Sequence, residues 1–244
     1  MVYISILFHF IMSKYQETKQ IETIHYITVA TKPHKVLNKI LETVKKNKET
    51  IEVLGLQENR LIGWEGTQNF GVKLREIYNF VDRPTLCESD IVLFTDAYDL
   101  AYLGNLTEVV RRYKMFSKPI IFGAEKSCHP DPGRASEYKF PNDNMPEFPF
   151  LNSGMIIGRV DALRHCMKGY QYDDRHDDQR FWTTVFFENP DKIELDYENL
   201  LFLNAADMEM EDFIWNGKTA WYKRHNPLFV HINGPDKTMI EIFL

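Results

Sequence analysis

The stretch Ile91-Val92-Leu93-Phe94-Thr95-Asp96-Ala97-Tyr98-Asp99-Leu100 decides how the chain is read. Four consecutive apolar residues, rich in β-branched and aromatic types, are the pattern of a strand buried on both faces. Two carboxylates three positions apart follow where that strand should end. In an open α/β sheet this edge is where ligands bind, and paired carboxylates there suit a divalent cation bridging to a phosphate. An Asp-rich turn accounts for the same residues, because Asp makes turn hydrogen bonds of its own. At this point both readings stand.

Upstream, Ile24 to Ala30 alternates and reads as a strand, and Val36, Leu37, Ile40, Leu41 and Val44 recur at helical spacing between His34 and Lys46. Ile51 to Leu56 is a second strand, which completes a parallel, right-handed βαβ unit. A polar loop, Gln57 to Phe70, carries Trp64 between glycines, placed either to stack on a base or to fill the core. The next helix bears Val72, Leu74, Ile77 and Phe80, with Lys73 near its start as a diphosphate partner or a solvated lysine. Downstream, Asn105 is an N-cap for a helix carrying Leu106, Val109, Val110 and Tyr113, and Pro119 to Glu125 is a further strand. The alternation β-α-β-α-β-α-β predicts an α/β fold with a Rossmann-like, mostly parallel sheet and helices on both faces.

From Lys126 to Pro149 five prolines interrupt any periodicity, as expected of a binding loop rather than a routine connection. Leu151 to Gly158 reads as a turn feeding a buried, glycine-bounded strand. Asp173-Asp174-Arg175-His176-Asp177-Asp178-Gln179 then precedes a helical run. One or two aspartates suffice to cap a helix, and four suggest another task, such as binding sugar hydroxyls or accepting a proton. Near the end, His231 closes an apolar strand and is followed by Asn233-Gly234-Pro235. It is either a satisfied core histidine or an imidazole ligand to a metal.

Bulk properties narrow the classes. A net charge of −6, with no basic stripe, argues against nucleic acid as a partner. Cys87, Cys128 and Cys166 lie far apart with no CxxC, which indicates neither a zinc cluster nor a disulfide framework and allows at most one bridge. The apolar run Val2 to Met12 is too short to span a bilayer and lacks the basic region and cleavage site of a secretory signal. Residues 1–23 are expected to be an upstream gene-model extension or an added strand or helix, with a weak signal peptide as a third reading, and residues 24–244 a single domain.

Five segments in order, Ile27-Thr28-Val29-Ala30-Thr31-Lys32, Phe94-Thr95-Asp96-Ala97-Tyr98-Asp99, Leu151-Asn152-Ser153-Gly154, Asp177-Asp178-Gln179 and His231-Ile232-Asn233-Gly234-Pro235, make the chain resemble the glycosyltransferase domain of procollagen lysyl hydroxylases. The resemblance runs from about Ile24 to Lys237. It implies a GT-A fold, a Mn²⁺ site, UDP-glucose or UDP-galactose as donor, and hydroxylysine or galactosyl-hydroxylysine of a collagen-like polypeptide as acceptor. By the same resemblance Asp96, Asp99 and His231 are the metal ligands. Thr28, Val29, Thr31, Trp64, Lys73 and Lys237 lie on the nucleotide side, and Asn152, Asp177, Asp178 and Asn233 on the sugar and acceptor side, with the last three catalytic. It also implies the endoplasmic reticulum lumen, although the lack of a clear signal leaves the cytoplasm open, and a homodimer through tail aromatics is compatible. The chain departs from the family where Cys128-His129-Pro130 replaces Cys-Trp-Pro and where Arg175 and His176 interrupt the acidic run. Nothing in it resembles the lysyl hydroxylase portion, so glycosylation without hydroxylation is expected. Two other readings compete. One is a domain of the same fold that binds nucleotide sugar or protein without transfer. The other is an Fe(II) site built on His176 and Asp178 with His225 or His231.

Overall fold

The computed structural model describes residues 22–60, 62–63, 69–140 and 144–244. The expectations for the N-terminal extension up to residue 21 and for Trp64 lie outside these residues. The elements run β1 (Ile24–Val29), α1 (Lys35–Lys46), β2 (Glu52–Leu54), α2 (Gly71–Val81), β3 (Ile91–Asp96), β4 (Leu100–Tyr102), α3 (Leu106–Tyr113), β5 (Ile120–Glu125), β6 (Phe150–Arg159), α4 (Val160–Cys166), α5 (Asp178–Glu188), β7 (Ile193–Asp196), β8 (Phe202–Asn204), β9 (Phe213–Trp215), β10 (Ala220–Tyr222) and β11 (Phe229–His231).

The main sheet has the order β2-β1-β3-β6-β5-β7. Strands β2, β1 and β3 are mutually parallel, and β7 is parallel to β5. The expectation of a Rossmann-like sheet needs one correction: β6 is antiparallel to both of its neighbours, so the sheet is mixed. The long segment between β5 and β6 lets the chain reverse with no crossover helix, which a parallel connection would require. From Ile91 to Thr95 every residue of β3 is buried, so both faces of the sheet are covered. Of the helices, α2 packs on α4 and α5, and α1 packs on β4. Asn105 caps α3 as expected, its Oδ1 accepting from the Glu108 amide at 2.9 Å.

A smaller sheet, β4-β11-β8, carries the fold's functional consequence. With three residues between them, the chain goes from β3 into β4 and so passes from one sheet to the other. Among the described residues no helix is long and apolar enough to cross a membrane. The three cysteines are free.

Candidate metal and donor site

Asp96 ends β3, and Asp99 immediately precedes β4. β11 runs antiparallel to β4 with His231 opposite Leu100, and the Ile232 amide donates to the Asp99 carbonyl at 2.8 Å. The sheet crossing thus places a carboxylate at each end, and strand pairing delivers the imidazole between them. His231 Nε2 lies 3.6 Å from Asp96 Oδ2 and 3.3 Å from Asp99 Oδ1. Among the described residues these three form the one group whose ligand atoms converge as a metal site requires, all within 4.8 Å of one another.

The imidazole is oriented from behind. β8 is parallel to β11 and sets Asn204 beside His231. Asn204 Nδ2 donates to the Ala124 carbonyl at 2.9 Å, which turns Oδ1 toward His231 Nδ1, 2.8 Å away. Nδ1 therefore carries the hydrogen, and in the neutral ring the Nε2 lone pair faces the two carboxylates. A lone pair facing two anions is an unfavourable contact, and a divalent cation between them makes it favourable. The donor set therefore fits a metal. Gly154 on β6 permits the packing, since a Cβ there would sit 2.4 Å from His231 Cε1 and 3.0 Å from Asp96 Oδ2. Asn204→Leu should weaken divalent-cation binding by roughly 10–100-fold, the usual cost of losing a partner behind a ligand, measured by calorimetry.

Charge balances around the pair. Burial works against an ionised Asp99, yet His231, when its ring is protonated and donates from Nε2, and Lys237 outweigh it and hold the carboxyl well below the usual range. Lys237 Nζ reaches Asp99 Oδ2 at 2.5 Å and the Ile232 carbonyl at 2.6 Å. Burial pushes Asp96 up, opposed by Lys73 and reinforced by Asp99. Lys73 bridges Asp96 Oδ1 at 2.8 Å and Asp178 Oδ2 at 2.9 Å. Burial would lower its pKa, but these two carboxylates keep it raised, so it remains an ammonium.

The four aspartates of the acidic run divide their tasks. Asp177 caps α5, with its side chain accepting from the Arg180 amide at 2.9 Å. Asp178, in the first turn, binds Lys73 and accepts from Ser153 Oγ at 2.9 Å. Asp173 pairs with exposed Arg175, and Asp174 with Arg60. His176 approaches Tyr170 at 3.4 Å and is absent from the converging ligand group.

Of the residues expected on the nucleotide side, Thr28 and Val29 stand in register with Thr95 and Asp96. Thr28 is buried, and its hydroxyl donates to the Thr95 carbonyl at 2.7 Å. The Thr31 and Lys32 amides donate to the Tyr98 hydroxyl at 2.7 and 3.0 Å, so Tyr98 ties the end of β1 to the Asp96–Asp99 crossing. On the other side, Asn152 accepts from the Gly154 amide, and Asn233 Nδ2 donates to Glu125 Oε2 at 2.7 Å. The Asn233 side-chain oxygen accepts from the Ala206 amide at 2.8 Å.

Glu125, Gln179, Asn204 and Tyr98 were given no role by the sequence reading. Glu125 ends β5 as Asp96 ends β3, so the same acid-at-strand-end signal marked it. Its carboxyl is buried, receives Gln179 and Asn233 amide donors, and is pushed up to about 7 by burial. A carboxyl raised in the folded state stabilises the protein below its unfolded value of 4.5 and loses that contribution as pH rises through about 7. Glu125→Gln should therefore remove about 3 kcal/mol of pH-dependent stability between those limits. Denaturant titration across that window, compared with the wild type, measures it.

Comparison with known proteins agrees with this geometry. Residues 20–243 match the family described as the PLOD GT domain. A multifunctional procollagen lysine hydroxylase and glycosyltransferase of Caenorhabditis elegans is 30% identical over 234 residues, covering 88% of this chain and 31% of that protein. The human multifunctional procollagen lysine hydroxylase and glycosyltransferase LH3 is 28% identical, covering 90% and 31%. Procollagen-lysine,2-oxoglutarate 5-dioxygenase 1 of Gallus gallus is 27% identical, covering 92% and 32%. The chain thus spans about a third of the length of these relatives. A crystal structure of a glycosyltransferase involved in glycosylation of the major capsid of PBCV-1 superposes with a TM-score of 0.50 at 11% identity, covering 91% of this chain and 100% of that one, a likeness of fold. With nearly its whole length matched, the chain belongs to the PLOD GT domain family.

Proposed function

We propose that the chain is a metal-dependent hexosyltransferase that moves glucose or galactose from a UDP-sugar to hydroxylysine or galactosyl-hydroxylysine of a collagen-like polypeptide. The observation that carries this reading is the convergence of Asp96, Asp99 and an Asn204-oriented His231 at the sheet crossing. Two oxygen donors and one imidazole suit Mn²⁺. Bound there, the cation would supply Lewis-acid neutralisation of the donor diphosphate. Lys73 adds a permanent positive charge on the α2 side, and Lys237 adds another beside Asp99.

In the transfer, the bond between sugar C1 and the β-phosphate oxygen breaks, and its electrons leave on UDP. The acceptor hydroxyl oxygen forms the new bond to C1 and gives up its proton. Asp178 is our choice to orient that hydroxyl and receive the proton, and the buried Asn152, Asn233 and Glu125 supply hydrogen bonds for sugar hydroxyls. The choice of a collagen-like acceptor is supported by the similarity to procollagen lysine hydroxylases and glycosyltransferases.

The test is incubation with Mn²⁺ and each UDP-hexose, with a hydroxylysine peptide used plain or already galactosylated. UDP release and a hexose mass increment on one peptide are expected. If UDP binds but no UDP-sugar yields UDP, the chain is a binding domain of this fold and not a transferase.

A further inference from the structure

The residues between α4 and α5 that carry the acidic run have no regular secondary structure. They are nevertheless held at three points against α2 and the Glu58–Arg60 segment that Glu58 ties to it. Arg60 makes a two-pronged ion pair with Asp174, Nη1 to Oδ2 at 2.8 Å and Nη2 to Oδ1 at 2.5 Å. The Tyr172 hydroxyl donates to Asp174 Oδ1 at 2.6 Å, and the Arg75 guanidinium lies 5.0 Å from the Tyr172 ring centre. Glu58 joins Arg60 to Arg75, accepting from them at 2.8 and 2.6 Å. The backbones also touch: the Gly71 amide donates to the Asp174 carbonyl at 3.3 Å, and a Cβ on Gly71 would fall 1.9 Å from the Asp173 carbonyl oxygen. Only glycine fits there.

Both sides of this junction lead directly to the site. Lys73 lies two residues beyond Gly71, Asp178 lies four beyond Asp174, and their ion pair is the next contact along. We propose that Arg60 and Asp174 are positioning residues whose ion pair holds the acidic segment against α2 and so fixes Lys73 relative to Asp178. The proposal rests on the transferase reading for its kinetic consequence. It gives Asp174 a task that neither capping nor catalysis supplies. A planar guanidinium gripping both carboxylate oxygens fixes orientation as well as distance, which a lysine would not do. The pair is about a third exposed, at 37% and 35%, so it contributes little to global stability.

The test compares Arg60→Ala, Asp174→Ala, the double variant and Arg60→Lys with the wild type. Each alanine variant should lower kcat on the order of 10–100-fold with little change in KM for the UDP-sugar or in Tm. The double variant should be no worse than either single one, because both break the same contact. Arg60→Lys should fall between wild type and Arg60→Ala. Hydrogen exchange of peptides spanning 172–178 should accelerate in each alanine variant. Unchanged kcat, additive losses, or a fall in Tm that accounts for the lost activity would overturn the proposal. If the wild type itself releases no UDP, the transferase reading fails, and exchange alone decides: unaltered protection at 172–178 overturns the clamp, and faster exchange upholds it.

Discussion

Asp99→Ala and His231→Ala should each abolish Mn²⁺-dependent UDP binding in calorimetry while leaving a cooperative unfolding transition. Three donors converge on one point, two from the β3–β4 crossing and one from β11. Loss of a partner behind a ligand already costs roughly 10–100-fold in metal affinity, so loss of a ligand should exceed that. The fold has other supports, since β11 is held by its ladders to β4 and β8 and needs no ion for its backbone pairing. His231→Ala leaves the buried Asn204 Oδ1 without its donor, at a cost of about 1–3 kcal/mol. Against a typical stability of about 5–15 kcal/mol, that is tolerable. In the Asp99 variant Lys237 keeps the Ile232 carbonyl. Chelation of the wild type should reproduce both variants. Unchanged UDP affinity in Mn²⁺ for both would show that these residues hold no functional ion.

Asp96 and Asp99 were legible because local chemistry announces them: an apolar run ends, and acids begin. Local pattern could not show that the chain changes sheets between them. β4 is three residues long, Leu100 to Tyr102, too short for a period to register, and its partner β11 lies well over a hundred residues away. Asn204 was hidden for the same reason, since its role exists only once β8 lies beside β11. The direction of β6 was equally illegible. A buried run such as Met155 to Ile157 has the same composition whichever way it runs. The β9–β10 hairpin, which turns between Trp215 and Ala220 with Gly217 at φ +85°, was not read from the sequence either. Asp177 shows a rule operating at its ordinary level, an N-cap whose side chain accepts from Arg180 as capping chemistry requires. Asp178, its neighbour, is what capping does not explain.

Asp178→Asn should separate binding from transfer. The substitution keeps size and shape and leaves an oxygen to accept from Ser153 Oγ, but it removes the negative charge that faces Lys73. Lys73 retains Asp96 as a partner, and none of the three converging ligands is altered, so Mn²⁺-dependent UDP binding should persist. Loss of charge in the first turn of α5 costs about 0.3–1 kcal/mol of helix stabilisation, too little to unfold the domain. An amide cannot accept the acceptor hydroxyl's proton, and removing such a group should lower transfer by roughly 10²–10⁴-fold. The experiment measures kcat with a saturating hydroxylysine peptide beside UDP affinity for the same preparation. Full turnover would remove Asp178 from the reaction. A parallel loss of UDP affinity would show instead that Asp178 works through Lys73 on the donor, since a group acting only on the acceptor leaves donor binding intact.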